Sequence, residues 1–335
     1  MRTVLDDAVP DPDDRAELVA AHDRHVRRLQ QVDGLVRVSA PGGDDGSLAG
    51  AVLTPAAAAL AGRDADVVGL ATVRESDALW VSRRTHTLAV RAGAADGGNL
   101  QAGWGSVLDQ WLDLVARDPL ATDPETSATV SLASRDQALV AGLVRRHFGP
   151  ASVLAIRSLE RADPEAWTRP PEGVRVRTAT LDDLPWLLDR TLALHRWETG
   201  FGYVPPRPDA RTQLEPELAE AIGRDEGWTW IAELDGAPVG LCQVNPPEAA
   251  AWVSDATWLS PVGYLVSAFV DPRLRSAGLG RVLAATAAAA AREAGWAALL
   301  LHHAGVSAWS VPFWSSMGYR PLVTTWMRRP AVLPR

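Results

Sequence analysis

Lysine is absent from this chain, and cysteine occurs once, at Cys242. A single cysteine excludes an intrachain disulfide and a cysteine-built metal site, and it suits a reducing compartment. Without lysine there is no Gly-Lys-Ser/Thr, hence no P-loop. All 33 basic residues are therefore arginine, which we read as coding bias in a GC-rich genome rather than as chemistry. Long apolar runs are missing too. The most apolar stretch, Val282 to Ala291, gives way to Arg292-Glu293 and falls well short of a bilayer's thickness. The acidic start, Met1-Arg2-Thr3-Val4-Leu5-Asp6-Asp7, has no apolar region of the signal-peptide kind, so a cytoplasmic location is expected. Positive charge is in deficit, at a net −8, which argues against nucleic acid or an anionic membrane as the partner. What remains is a globular composition, 47% hydrophobic and 22% charged over 335 residues, enough for two ordinary domains.

Internal similarity organises that length. Val68-Gly69-Leu70-Ala71-Thr72-Val73 returns 171 positions later as Val239-Gly240-Leu241-Cys242-Gln243-Val244. Each copy follows a hairpin-like turn, Arg63-Asp64-Ala65 or Asp235-Gly236. Ala102-Gly103-Trp104-Gly105 returns 175 positions later as Ala277-Gly278-Leu279-Gly280. An apolar strand follows each, Ala128 to Leu132 and Ala298 to Leu301, then a helix and a closing Phe148-Gly149-Pro150 or Gly318-Tyr319-Arg320-Pro321. Upstream, Asp13-Asp14 and Asp182-Asp183 each open a helical pattern where a capping acid is expected. Four matches in one order imply a duplicated domain; the alternative is two unrelated α/β domains that share Gly-x-Gly turns. The joint falls between Ala162 and Gly173, where Asp163-Pro164 and Arg169-Pro170-Pro171 break helices. We therefore expect domains at 1–165 and 172–335.

The second copy reads as strand Val174–Thr178, helix Leu181–Arg196, an aromatic loop, and a helix over about 210–223. A hairpin pairs Trp228–Glu233 with Ala237–Val244, then come strand Tyr264–Val270 and helix Gly280–Gly295. Strand Ala297–His302, helix Ala308–Met317 and strand Pro321–Met327 complete it. Such alternation predicts the α/β class, a mixed sheet with helices on both faces.

Between a strand and an alanine-rich helix stands Arg275-Ser276-Ala277-Gly278-Leu279-Gly280. Glycine lets the backbone turn tightly, so that successive N–H groups point into one concavity. The helix that follows adds its positive end and its unpaired first-turn N–H groups. A pyrophosphate suits such a place; a purely structural turn is the alternative. Arg275 either adds charge or braces the turn. A dinucleotide fingerprint needs a small residue where Leu283 stands.

The segment from Tyr264 to Gly280 resembles the signature of the GNAT N-acetyltransferases, as does Ser307 to Tyr319 with its pair Phe313-Trp314. The resemblance covers about 174–330 directly and reaches the first half only through the repeat. A tandem pair with one eroded copy is similar to actinobacterial two-domain acetyltransferases of the mycothiol-synthase type. It implies two GNAT-like domains, each a mixed, mostly antiparallel sheet flanked by helices, with the N-terminal copy degenerate. It also implies direct transfer of acetyl from acetyl-CoA to an amine in a ternary complex, with no metal. Backbone groups of Ala268, Phe269 and Val270 would bind the pantetheine arm and the thioester carbonyl, and a backbone N–H would stabilise the developing oxyanion. Amides of Ser276, Ala277, Gly278, Leu279, Gly280 and Arg281 would hold the pyrophosphate, beside Arg275.

Two positions depart from the family's pattern. Ser307 stands where asparagine is frequent, and Trp314 replaces the usual tyrosine acid; both are expected at the coenzyme. An indole N–H donates a hydrogen bond but does not release its proton near neutral pH. Ser315, Tyr319 or water would then protonate the thiolate, or it leaves unassisted, since a thiol of pKa about 8.5 is a tolerable anion. His302 is the candidate base, five residues before Ser307, with a hydrogen-bonded structural histidine as the alternative reading. Its neighbour His303 belongs to the opposite face of the strand. Glu198 and Glu248 are weaker candidates.

Aromatic residues gather before the motif: Trp186, Trp197, Phe201, Tyr203, Trp228, Trp230, Trp252 and Trp258. Most are expected in the core. Trp197, Glu198, Phe201 and Tyr203 fall in a glycine-flexed stretch that the resemblance places beside the acceptor. In the first copy Leu100 matches Arg275, and the strand Ala128 to Leu132 carries no histidine or acid, so this half reads as scaffold. The expectation is an acetyl-CoA-dependent N-acetyltransferase acting on a small-molecule or peptide amine. A non-catalytic acyl-CoA-binding or partner-binding protein is the competing reading. The sequence names neither the amine nor an oligomeric state.

Overall fold

The structure is a computed structural model that describes residues 12–38, 58–61, 67–93, 100–224 and 227–334. Its first elements are α1 (Pro12–Val32), β1 (Ala58–Ala61), β2 (Val67–Glu75), β3 (Arg84–Ala92), α2 (Leu100–Val115), β4 (Thr126–Ala133), α3 (Val140–Val144) and β5 (Gly149–Ser158). Then follow α4 (Glu165–Thr168), β6 (Val174–Thr178), α5 (Leu184–Thr199), α6 (Ala210–Gly223), β7 (Thr229–Leu234) and β8 (Ala237–Asn245). The last are α7 (Ala251–Ser254), β9 (Val262–Val270), α8 (Leu279–Glu293), β10 (Ala298–Ala304), α9 (Ser310–Ser316) and β11 (Arg320–Arg328). They form two compact units. One comprises Met1–Val153, Asp255–Trp258 and Pro321–Arg335; the other, Leu154–Ser254 and Leu259–Arg320.

In the first unit the strands lie in the order β1-β2-β3-β4-β11. Only the β3–β4 pair is parallel; the other neighbours are antiparallel. Helix α2 covers the sheet through Trp104, Val107, Leu108, Trp111 and Val115, a stripe at helical spacing. Trp104 is fully buried and its Nε1 donates to the Leu139 carbonyl at 2.8 Å, so the large ring keeps a partner for its N–H.

The second unit's sheet runs β5-β10-β9-β8-β7-β6, with residues 154–158 of β5 at its edge. Pairs β6–β7, β7–β8 and β8–β9 are antiparallel, and β9–β10 is parallel. Side chains alternate between faces, as a pleated strand requires. Trp230, Ala232, Cys242 and Val244 join the cluster under α8, whereas Ile231 and Leu241 join the cluster with Leu187 of α5 and Ile222 of α6. On α8 a stripe of Ala284, Ala285, Ala287, Ala288 and Ala291 is buried, and such short side chains let the helix lie close to the sheet. This is the mixed, mostly antiparallel, helix-flanked sheet that the sequence leads one to expect.

The repeat is visible as architecture. The succession β2-β3-α2-β4-α3-β5 recurs as β8-β9-α8-β10-α9-β11, with an antiparallel first pair and a parallel second pair in both. Each unit, however, closes with a strand drawn from the other half of the sequence: β11 joins the first, and residues 154–158 of β5 join the second.

Local readings change in four places. Ala102 to Gly105 lies inside α2 and makes no turn, because Trp104 is drawn into the core one helical step after the start. Trp197, Glu198 and Thr199 complete α5 and are not loop; Gly200 keeps a helical φ of −64°, and the left-handed residue is Gly202 at +83°. Thr180, rather than Asp182 or Asp183, caps the helical turn before α5, with Asp183 Oδ2 accepting from Thr180 N at 2.8 Å. Finally, 162–173 is no plain linker, since it holds the single turn α4. Arg63-Asp64-Ala65, expected as a hairpin-like turn, lies outside the described residues.

Candidate active site

Strands β9 and β10 pair in parallel only from Val262 with Ala298 to Leu265 with Leu301. Beyond that point they diverge. On its other side β9 pairs with β8, and the register shifts there: Gln243 faces Ser267 and Val244 faces Leu265, so Val266 is the extra residue of a bulge. A bulge bends and re-aims its strand, and here it opens a gap bordered by the backbone of residues 266–270.

At the end of β9, Asp271 caps a short 3-10 turn by accepting from Arg273 N at 3.0 Å. The chain then reverses through Ser276 at φ +68° and Gly278 at φ +87°. Gly278 is the N-cap of α8. Left-handed backbone of this kind turns successive N–H groups to one side and makes an anion-binding concavity. A Cβ on Gly278 would find no atom nearer than Pro171 Cγ, at 4.0 Å, so conformation and not crowding requires glycine here.

A cavity of about 520 Å³ opens over this turn. Ala268, Phe269, Val270, Arg275, Ser276, Gly278, Leu279, Gly280, Arg281, Trp314 and Trp197 line it, as do Leu194, Trp309, Ser310 and Phe313. The Arg275 guanidinium carbon stands 5.4 Å from the Trp309 ring centroid, and that of Arg281 stands 5.5 Å from Trp167. Two arginines and the first-turn amides of α8 give the cavity a cationic end; the β9 residues and Trp197 give it an apolar one. That combination fits a polyanionic coenzyme with a slender apolar arm.

Ala277 is exposed and outside the lining. Ser307 is buried and serves α9: its Oγ accepts from Ser310 N at 3.1 Å and meets Ser310 Oγ at 3.1 Å. Ser310, rather than Ser307, reaches the cavity. Trp314 is largely buried, in edge-on contact with Phe313 and Tyr319 at 4.8 and 5.3 Å, so packing accounts for much of its ring. Tyr319 is buried and its hydroxyl carries no hydrogen bond. Burial pushes the Cys242 thiol up to about 12, which removes it as a nucleophile at neutral pH.

The remaining expected residues gather on the sheet face opposite α8. Tyr264 Oη and His302 Nδ1 lie 2.9 Å apart, bridging the parallel strands. His302 keeps an exposed edge, and burial of the rest of its ring, then His303, lowers its pKa. His303 is buried on the other face, with Nδ1 3.0 Å from the Ala304 carbonyl. Tyr203 Oη donates a hydrogen bond to Glu198. Burial raises the pKa of Glu198 against that bond. Burial also raises Tyr203, with the Glu198 charge and hydrogen bond and, last, Tyr264 adding to it. Tyr264 is raised by burial, opposed by a hydrogen bond with the His302 backbone. Phe201 packs edge-on against Trp197 at 5.7 Å.

Tyr264 was invisible as a site residue in the sequence, because its partner lies 38 positions away on another strand. Trp309 carries no site signal in the sequence for a similar reason, and Trp252 stands there only as one of the gathered aromatics. The expectation that most aromatics are core holds for Trp228 and Trp230, whereas Trp197, Trp252 and Trp258 are exposed. Among the described residues no group of three or more His, Cys, Asp or Glu could hold a metal ion, and no helix is long and apolar enough to cross a membrane.

Residues 191–319 match the model of the acetyltransferase (GNAT) family. The chain is 36% identical over 89 residues to an aminoglycoside N(6')-acetyltransferase type 1 of Stenotrophomonas maltophilia. That match takes in 26% of this chain and 56% of the relative, little more than half its length. Over nearly the whole chain, the fold is similar to the crystal structure of a GCN5-related N-acetyltransferase from Sphaerobacter thermophilus. The TM-score is 0.59 and the identity 15%, with 97% of this chain and 96% of the other covered.

Proposed function

Because this chain carries an acetyltransferase domain of the GNAT family over residues 191–319, we propose that it moves acetyl from acetyl-CoA to a primary amine of a small molecule or peptide. Transfer is direct, within a ternary complex. The observation that carries this reading is the one cavity joining the α8 turn to the gap beside β9. Acetyl-CoA supplies an activated acyl thioester, and every other component comes from the chain. The amides of Ser276 and of Gly278 to Arg281, with Arg275, hold the diphosphate against the positive end of α8. Backbone of Ala268 to Val270 positions the pantetheine arm and offers an N–H to the carbonyl oxygen as charge develops on it.

His302 takes the amine's proton, and Tyr264 fixes its ring. Its lowered pKa keeps the ring unprotonated at neutral pH, at some cost in basicity. One C–N bond forms, one C–S bond breaks, and the thiolate gains a proton from solvent, since Trp314 has none to give. Tyr203 and Glu198 border the acceptor. The two halves are read as copies of one domain, 1–165 and 172–335. The first is a scaffold, because its counterpart of the phosphate turn is helix.

Coenzyme binding and thiol release are measured side by side across a panel of amines. Saturable binding with amine-dependent release is expected. Binding without release on any amine would overturn the transfer.

A further inference from the structure

The class of amine is legible from the rings beyond the cavity, and it rests on the acyl-transfer reading above. Trp197 lines the apolar end of the cavity and is 47% exposed. Past it, on the same face of the sheet, Trp252 is 58% exposed. Its ring lies 4.9 Å from Tyr264 and, nearly parallel at 12°, 6.0 Å from His302. Indoles this exposed beside a candidate base are unusual on a soluble surface, where apolar patches mark ligand sites. The free protein leaves them in water.

Charge narrows the class further. The segments that carry these rings and the strands beneath them, 197–204, 246–254, 262–270 and 298–304, hold Glu198 and Glu248 as their carboxylates and no arginine; the arginine that α5 adds to this face, Arg190, stands over the Phe269 ring at 5.8 Å. Glu198 is held by Tyr203. A substrate with four or five ammonium groups needs a carboxylate or carbonyl cage around each, and these segments offer too few. One ammonium beside a flat apolar body fits both the rings and the charge.

We propose that the acceptor is a monoamine carrying an aromatic group, an arylalkylamine in the simplest case. Its ring covers Trp252, Glu198 attracts the ammonium, and the nitrogen reaches the thioester beside His302. The ammonium first gives up one proton through His302; as the C–N bond forms and the C–S bond breaks, the nitrogen loses a second proton to solvent, and the thiolate takes one from solvent to depart as the free thiol.

The full chain, loaded with coenzyme A, is titrated with 2-phenylethylamine, ethylamine and kanamycin by calorimetry; the same amines are then assayed with acetyl-CoA. Tighter binding of 2-phenylethylamine than of ethylamine is expected, with a kcat/KM at least tenfold higher and kanamycin the poorest. Trp252→Ala raises KM for 2-phenylethylamine about tenfold, in line with loss of a stacking surface, with kcat within a few-fold. Trp252→Phe restores most of the loss, and coenzyme affinity reports that the variants are folded. No preference for the aromatic amine, a preference for kanamycin, or an unchanged KM in Trp252→Ala overturns the assignment. Preferential binding of 2-phenylethylamine without turnover would support this subsite while overturning acyl transfer.

Discussion

Replacing Gly278 by alanine isolates what the turn proposed to hold the diphosphate demands of its backbone. Gly278 sits at φ +87°, and the nearest atom to an added Cβ is 4.0 Å away, so the substitution introduces strain and no collision. An L-residue in left-handed backbone costs roughly 1–2 kcal/mol. That strain can appear in either of two places. If α8 and its packing force the turn to keep its shape, it lowers the melting temperature by a few degrees. If the turn relaxes in the free protein, the coenzyme must restore it on binding, and affinity falls by about 5- to 30-fold. Gly236 provides the control: it has φ +80°, open space around its Cβ and a place in the β7–β8 hairpin outside the cavity lining. Gly236→Ala should cost stability alone. Calorimetric titration with coenzyme A and thermal melts of both variants read the two quantities. Coenzyme affinity and melting temperature both unchanged in Gly278→Ala would refute the requirement for glycine and, with it, the oriented amides.

Gly263→Ala places a Cβ 2.2 Å from Trp296 Cζ3 and 2.5 Å from Cε3, on a ring stacked at 4.3 Å on Trp228. Overpacking of about 1–3 kcal/mol follows, and a melt lowered by less than a degree would contradict it. Burial, with help from Arg91 and Arg28 and against the Ala92 carbonyl and Asp136, lowers the His25 pKa from 6.5 to about 3. The unfolded chain therefore takes the proton first. Stability is full above pH 6.5 and falls with acid by roughly 1.4 kcal/mol per pH unit toward pH 3. Urea unfolding from pH 7 to 4 should show a shallower slope in His25→Gln than in wild type. Trp314→Phe removes the indole N–H while keeping a ring; turnover within roughly threefold is expected if that N–H supplies no proton, and a hundredfold loss would reinstate an acid role.

The turn at Arg275–Gly280 was legible because its chemistry is local: a strand, two glycines and an alanine-rich helix leave few other shapes. Helix α6 was legible over 210–223 for a similar reason, with Gly223 at its end. Misreadings arose where a residue's meaning depends on distant contacts. From its neighbours Gly200 reads as a loop former, yet hydrogen bonds from its N–H to Trp197 and Glu198 carbonyls keep it on the helix. Gly103 resembles Gly278 in its neighbours, but Val67 Cγ2 lies 3.3 Å from where its Cβ would be; there a glycine permits close packing of α2 on β2. The Tyr264–His302 pair joins two strands that α8 separates in the sequence. No spacing rule finds such a pair, because the register of a parallel sheet decides it.

The borrowed closing strand sets a timetable for synthesis. Ser134 Oγ and Thr324 Oγ1 stand 2.8 Å apart, yet 190 positions separate them along the chain. At roughly 5–20 residues per second on the ribosome, β4 waits about 10–40 s for β11 with one edge unpaired. A nascent first half is therefore a client for whatever shields open strand edges in the cell. A chain stopped after Arg320 would retain every cavity-lining residue and still leave β4 open, so such a truncation would be felt first in the unit that β11 completes.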